Sequence, residues 1–262
     1  MYKLIALDMD GTLLNNEHKL TRYTKEILLK IYNKGIKIVL ASGRPYQSMN
    51  LFVKELGFEI PLIATNGSLV KSSTGEIIAQ ETIPTDDVYQ LLNYTKENDI
   101  YTSLYFHDSI CIDRITEKSD VHFKIEMVEP RVVGDLNTVL DREPINILLS
   151  INEESMKGII TELEEGFSKR LCVVQSSDSH IDIMAKDITK GFGLHKLLEK
   201  YGLETEDVIA FGNNFNDLAM LEEAGCGVAM ANAPQGVKER ADKIAGDNNE
   251  DAVAIMLEEI FL

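Results

Sequence analysis

The sequence predicts an α/β protein whose parallel-sheet core is interrupted by an inserted α+β domain. Three observations predict it. Apolar runs with β character alternate with amphipathic helical stretches as β-α-β-α-β over residues 2–65. After Pro84 the texture changes to mixed strands and helices. From Lys190 the alternating texture returns. This assigns 1–83 and 187–262 to the core and 84–186 to the insert.

Residues 2–7 form an apolar run that ends in Asp8-Met9-Asp10-Gly11-Thr12. Residues 23–33 set Tyr23, Ile27 and Ile31 on one helical face, with Gly35 as the stop. Residues 36–41 give a second buried strand, ended by Ser42-Gly43-Arg44-Pro45. A helical pattern over 47–56 stops at Gly57, and 61–65 gives a third strand. Asn66-Gly67 between apolar runs is a hairpin signal, and Ser73-Thr74-Gly75 reads as a second turn.

In the insert a helix over 86–98 leads to strands over 101–106 and 110–113. Further strands fall at 145–151, 171–175 and 181–185, with a helix over 153–165 between the first two. This is the texture of a small antiparallel sheet with helices. The core resumes with a helix over 190–201 and a strand over 208–211. The loop Gly212-Asn213-Asn214-Phe215-Asn216-Asp217 follows. A helix over 218–223, a strand over 227–230 and helices near 235–241 and 251–260 complete the chain.

A chain of 262 residues, 44% hydrophobic and 26% charged, has ordinary globular composition and can bury a core without disulfide or metal staples. The net charge of −17 excludes a general binder of nucleic acid or anionic membrane. The insert carries −10 of it, from 10 basic and 20 acidic residues. No apolar run reaches the ~18 residues of a membrane span, and no signal peptide is visible. Cys111, Cys172 and Cys226 are far apart and form no CxxC, which reads as reduced, buried thiols in a cytoplasmic protein. Charge favours solubility and leaves monomer and homodimer open.

In open parallel sheets, ligands bind beyond the carboxyl ends of the strands. Four polar clusters fall at such points or at a helix start: Asp8-Met9-Asp10-Gly11-Thr12, Ser42-Gly43-Arg44, Lys190-Gly191 and 213–217. Asp8 and Asp10 point the same way from a strand and repel unless a cation or proton intervenes. With Asp217 nearby they make an oxygen-rich hole suited to Mg²⁺. Ser42 offers a hydroxyl and Gly43 a close N–H for a phosphate oxygen, and Arg44 a planar donor fork. Taken singly, Lys190 is a surface lysine and Asn216-Asp217 a helix cap.

Together these residues resemble the haloacid dehalogenase superfamily of phosphohydrolases, and within it the Cof-type branch (subfamily IIB). Asp8-Met9-Asp10-Gly11-Thr12-Leu13-Leu14 matches the first motif, and Ser42 the second, with Gly43 and Arg44 as in this branch. Thr65-Asn66-Gly67 is similar to a further branch hallmark. Lys190-Gly191 resembles the third motif and 213–221 the fourth. Gly227-Val228-Ala229-Met230 with Asn232-Ala233 resembles the usual sequel.

The resemblance implies a Rossmann-like catalytic core with a C2-type cap domain between the second and third motifs. It implies Asp8 as nucleophile, forming an aspartyl phosphate, and Asp10 as general acid and base. Mg²⁺ would be held by Asp8, the Asp10 carbonyl, Asn213 and Asp217. Phosphate would be held by Met9, Ser42, Gly43, Lys190 and Asn216, and Thr12, Arg44 and Asn66 would lie on the substrate. One position departs: the family carries Asp after the glycine of the fourth motif, and this chain carries the neutral Asn213. That predicts weaker Mg²⁺ binding, with a catalytically weakened, phosphometabolite-sensing protein as the alternative.

The implied substrate is a small phosphorylated metabolite, with sugar phosphates as the default and flavin-mononucleotide or pyridoxal-phosphate types as further possibilities. A receiver module would also suit an acidic pocket with a lysine, but such modules lack Asp10's duty and an insert of this size. Gly191-Phe192-Gly193 and Gly225-Cys226-Gly227 complete no dinucleotide motif. The five histidines show no metal-pair spacing. His18 and His195 read as surface or satisfied residues, and His107 as a turn residue.

Overall fold

A computed structural model of the chain describes residues 2–262. Its first part runs β1 (Leu4–Asp8), α1 (Arg22–Asn33), β2 (Lys37–Ala41), α2 (Tyr46–Leu56), β3 (Leu62–Ala64), β4 (Leu69–Lys71) and β5 (Ile77–Gln80). The middle runs α3 (Thr85–Glu97), β6 (Tyr101–Tyr105), β7 (Ile110–Ile112), α4 (Glu117–Glu126), β8 (Arg131–Val132), β9 (Asn146–Ser150), α5 (Glu153–Phe167), β10 (Leu171–Ser177) and β11 (His180–Ala185). The last part runs α6 (Lys190–Tyr201), β12 (Val208–Gly212), α7 (Leu218–Glu223), β13 (Cys226–Ala229), α8 (Gln235–Lys238), β14 (Lys243–Ile244) and α9 (Ala252–Phe261).

The first and last parts share an eight-stranded sheet of order β14-β13-β12-β1-β2-β3-β4-β5. It is parallel from β14 to β3, and β4 and β5 are added antiparallel. β1 and β12 are buried at every position, as strands covered on both faces must be. Their side chains alternate between two cores. Ile5 and Leu7 pack in one cluster with Ile27 of α1, Phe52 of α2 and Leu257 of α9. Leu4 and Ala6 pack in the other with Leu194 of α6 and Met220 of α7.

The middle part forms a six-stranded sheet of order β10-β11-β9-β6-β7-β8, antiparallel except for β7 with β8. Its strands alternate too. Leu104, Ile147, Leu149, Ile181 and Ile183 pack with α3 and α5. Tyr105, Leu148 and Asp182 therefore point from the opposite face, toward the ends of β1 and β2.

The structure departs from the sequence reading at a few places. Asn66-Gly67 is no two-residue hairpin turn. Ala64 pairs with Leu69, so four residues make the loop, and Thr65 and Asn66 both adopt left-handed backbone (φ 47° and 53°). Gly67 follows with φ 107°, and a Cβ there would lie 2.0 Å from the Thr189 carbonyl oxygen, so only glycine fits. Helix α4 has no sequence counterpart, because Val121, Phe123 and Ile125 recur two apart, as in a strand. It is fixed instead by a capping box of Thr116 and Ser119. The two-residue strands β8 and β14 are too short to give a period. Cys172 is half-buried, whereas Cys111 and Cys226 are buried, and all three are unpaired. Among the described residues no helix is long and apolar enough to cross a membrane.

Candidate active site

Asp8 ends β1 opposite Ala41, Ser42 follows β2, and Asn213 follows β12, whose Phe211 lies in register with Leu7. The four polar clusters thereby meet at one sheet edge. Lys190 arrives from the first turn of α6, where Thr189 caps the helix by accepting from the Phe192 N–H.

Lys190 is 1% exposed, and its Nζ donates to Asp8 Oδ1 at 2.7 Å and to Asp217 Oδ1 at 2.5 Å. Burial and the neighbouring Asp217 push the Asp8 carboxyl up to about 7, against the pull of Lys190. Burial opposes the charge on Lys190, yet Asp217 and Asp8 hold it protonated above the ordinary lysine range.

The sequence reading places Asp217 among the oxygens of a cation site. In the structure its Oδ1 takes Lys190, and its Oδ2 accepts from the backbone N–H groups of Asn213 and Asn214 at 2.8 and 2.9 Å. Both oxygens are spent on anchoring the lysine and the loop after β12. The Asp10 side chain also turns away from that site. Arg44 Nε donates to its Oδ2 at 2.6 Å and Nη2 to its Oδ1 at 2.7 Å, and His18 Nδ1 hydrogen-bonds with Oδ1 at 2.8 Å. Burial would raise the Asp10 carboxyl, but Arg44 and His18 hold it well below the usual carboxylate range.

Arg44 is not placed to meet a substrate phosphate. Its remaining Nη1 donates to Ser48 Oγ at 3.1 Å and to the Ile125 carbonyl of α4 at 3.2 Å. The fork that suits a phosphate suits the Asp10 carboxylate equally well.

What remains around Asp8 Oδ2 is the Asp10 carbonyl and the Asn213 side-chain amide. The inner atom of that amide lies 3.1 Å from Asp8 Oδ2, 3.0 Å from Asp10 O and 3.2 Å from Thr12 Oγ1. With Nδ2 inward, these are hydrogen bonds that bind the amide to all three oxygens. With Oδ1 inward, it accepts from Thr12 Oγ1 and meets two further oxygens with no proton between them. The second orientation suits a cation among these oxygens, or a proton on Asp8. Among the described residues no three carboxylate, imidazole or thiol side chains converge on one point.

Ser42 Oγ accepts from the Arg44 N–H at 3.2 Å, and Asn216 Nδ2 donates to Asn66 Oδ1 at 2.9 Å. Asn66 Nδ2 is buried without a partner, and a Cβ on Gly43 would stand 3.3 Å from it. The Asn66 side chain also lies close enough to Asp182 to help hold that carboxyl down against burial. Met9 is fully buried in the core.

These groups open on a cavity of about 170 Å³. Its far wall comes from the six-stranded sheet and α4: Tyr105, His122, Glu126, His180 and Asp182. The Tyr105 hydroxyl lies 3.2 Å from His122 Nε2 and 3.3 Å from Glu126 Oε2, and Asn146 Nδ2 donates to Asp182 Oδ1 at 2.6 Å. Burial pushes the Glu126 carboxyl up to about 8, against the pull of Arg44, and raises Asp182 as well. Burial holds the His122 imidazole down at about 4 and lowers His180.

The sequence profile of the haloacid dehalogenase-like hydrolases matches residues 5–257. The chain belongs to that family. It is a hydrolase of the Cof-type branch, and its reaction class is phosphomonoester hydrolysis. It is 33% identical over 272 residues to YxeH of Bacillus subtilis (strain 168), with 100% of this chain and 99% of that one covered. It is 30% identical over 271 residues to YitU of the same organism, a 5-amino-6-(5-phospho-D-ribitylamino)uracil phosphatase, covering 98% and 97%. A haloacid dehalogenase-like hydrolase from Bacteroides thetaiotaomicron superposes with a TM-score of 0.90 at 30% identity over the whole of both chains.

For a haloacid dehalogenase-like hydrolase, the first-motif and third-motif residues are legible from sequence, but the far wall is not. Histidine spacing gives no hint of His122 and His180, which lie on different elements with ring centroids 4.8 Å apart. His18, read as surface or satisfied, is satisfied by Asp10 itself. The signal for the wall was present in β11, where His180 and Asp182 alternate with Ile181 and Ile183, but the face that meets the site is set by tertiary placement.

Proposed function

We propose that the chain hydrolyses small phosphomonoesters, sugar phosphates by default, through an aspartyl phosphate on Asp8 with Asp10 as acid and base. The observation that carries this is the Asp8 carboxylate at the strand end, fixed by a buried lysine and facing a cavity. Asp8 Oδ1 bonds to phosphorus as the bond to the leaving oxygen breaks, and Asp10 delivers a proton to that oxygen. Asp10 then takes a proton from the water that attacks phosphorus, which frees Asp8 and inorganic phosphate. Its first duty requires Arg44 to loosen its fork, since the pair as it stands keeps Asp10 ionised.

Lys190 offsets charge on the transferring group. Ser42 and Asn216 supply side-chain donors and Met9 and Gly43 backbone N–H groups, with Thr12 and Asn66 beside them. Residues 1–83 and 187–262 supply the chemistry, and 84–186 closes over it as a cap that excludes water.

Mg²⁺ fits this oxygen set. Ligands at ~2.1 Å on adjacent corners of an octahedron stand about 3 Å apart, as Asp8 Oδ2 and the Asp10 carbonyl do from the inner atom of Asn213. Those three residues would hold the ion, which when bound neutralises charge on the phosphoryl group. Asp217 is left out of the set because its oxygens are committed. A second reading, a weakened phosphometabolite sensor, is favoured by the same amide, whose N–H groups fill the place of the cation.

The test is phosphate release from a panel of phosphorylated metabolites with Mg²⁺, wild type against Asp8→Asn. Release by wild type alone supports the phosphatase. Equal release by both removes Asp8 as nucleophile. Saturable binding of a metabolite without release supports the sensor.

A further inference from the structure

Granted phosphomonoester hydrolysis at Asp8, the leaving group must lie against the far wall of the cavity. We propose that Glu126, supported by Tyr105 and His122, is the specificity-determining residue and reads a hydroxyl of a compact, uncharged, hydroxyl-rich leaving group.

Size comes first. The cavity of about 170 Å³ is half open to solvent, and beyond the phosphoryl group its walls hold only the adjoining, compact part of a leaving group. Charge comes second. Among the described residues the far wall carries no lysine or arginine, and the one guanidinium in the lining, Arg44, has its donors committed to Asp10, Ser48 and Ile125. A second anionic group on the substrate would find no cation to meet it. Burial holds Glu126 and the two imidazoles in their neutral forms near pH 7, so none of the three offers a cationic leaving group a countercharge.

Shape comes third. A flat heteroaromatic leaving group needs an open ring face. Tyr105 is 2% exposed, and the His122 and His180 rings lie against each other at 4.8 Å. What the wall does offer is hydrogen-bonding edges. Glu126 uses Oε2 on the Tyr105 hydroxyl, at 3.3 Å, and stands 3.7 Å from His122 Nε2. A neutral carboxyl both donates and accepts, which is what a substrate hydroxyl requires. A site built to hydrogen-bond a hydroxyl rejects analogues that lack it far more strongly than a size filter does.

The test compares kcat and KM for a pentose or hexose phosphate, its deoxy analogues and an aryl phosphate. Glu126→Gln, neutral and able to donate and accept, is expected to keep the polyol-over-aryl preference within about threefold. Glu126→Ala is expected to lower that preference about 30-fold, chiefly through KM, and Tyr105→Phe about fivefold. Should Glu126→Ala not fold, Glu126→Asp, one methylene short of reach, replaces it with the same expected loss.

An intact preference in Glu126→Ala would overturn the assignment, as would a wild-type preference for the ribitylaminouracil phosphate hydrolysed by YitU. Release of no ester at all, by wild type or by Asn213→Asp, would overturn the phosphatase reading itself and this inference with it.

Discussion

Asn213→Asp tests whether the amide governs entry of the metal. With Nδ2 inward, the amide N–H groups bond Asp8 Oδ2 at 3.1 Å and the Asp10 carbonyl at 3.0 Å. Admitting Mg²⁺ means turning the amide and giving up both bonds. A bond to a neutral carbonyl is worth about 1 kcal/mol and one to a carboxylate about 2, so the turn costs about 3 kcal/mol. The variant has no such bonds to lose. It instead sets a second carboxylate beside Asp8, a repulsion of about 4 kcal/mol at ~4 Å and an effective dielectric of ~20, which a cation relieves.

Titration calorimetry is therefore expected to show Mg²⁺ binding at least about 100-fold tighter in the variant. Thermal melts should agree. Without metal the variant melts below wild type, and saturating Mg²⁺ lifts it by more, as linkage requires. Equal dissociation constants and equal metal-free melting points would refute the reasoning, and would leave the amide a spectator.

Three further outcomes are expected. Lys190→Met leaves the Asp8 and Asp217 carboxylates buried without their cation and should cost about 3–5 kcal/mol in urea melts, with a smaller loss at pH 5, where a proton on Asp8 takes the cation's place, than at pH 8. Glu126 holds its proton up to about pH 8 when folded and releases it near 4.3 when unfolded. The native state then binds more protons between those values, stability falls by a few kcal/mol as pH rises from about 5 to 8, and melts of Glu126→Gln should lack that slope. Gly67→Ala sets a Cβ against the Thr189 carbonyl at a left-handed φ and should cost about 3 kcal/mol, with phosphate release falling as α6 shifts.

The core was legible because its strands are unbroken apolar runs that stop at Asp8, Ser42 and Gly212, and parallel strands buried on both faces have no other pattern. The rule that ligands sit at carboxyl ends then gathers residues from distant stretches. What it does not provide is how charges choose partners at short range. Arg44 and Asp217 have the right chemistry for phosphate and cation, but each finds a nearer protein group, Asp10 for one and Lys190 for the other. Helix α4, which carries His122 and Glu126, was illegible for a different reason. Its stability comes from a cap and from packing of Phe123, and its apolar residues trace no helical stripe.

The pairing of β1 with β12 also governs when the site can exist. Leu4 meets Val208 across the sheet's centre, so the two strands cannot join until most of the chain has been made. During synthesis the first strand waits with Asp8 at its tip, and neither Lys190 nor Asp217 has emerged from the ribosome. The six-stranded sheet lies wholly between them in the chain and pairs only within itself. By drawing in the intervening chain it shortens the loop that β1 and β12 must close, whose entropic cost grows only with the logarithm of length. Contacts of such long sequence separation form slowly, so the buried Lys190 with its two carboxylates is among the last parts of the molecule to assemble. A chain stopped short of Lys190 would carry Asp8 without the cation that holds it.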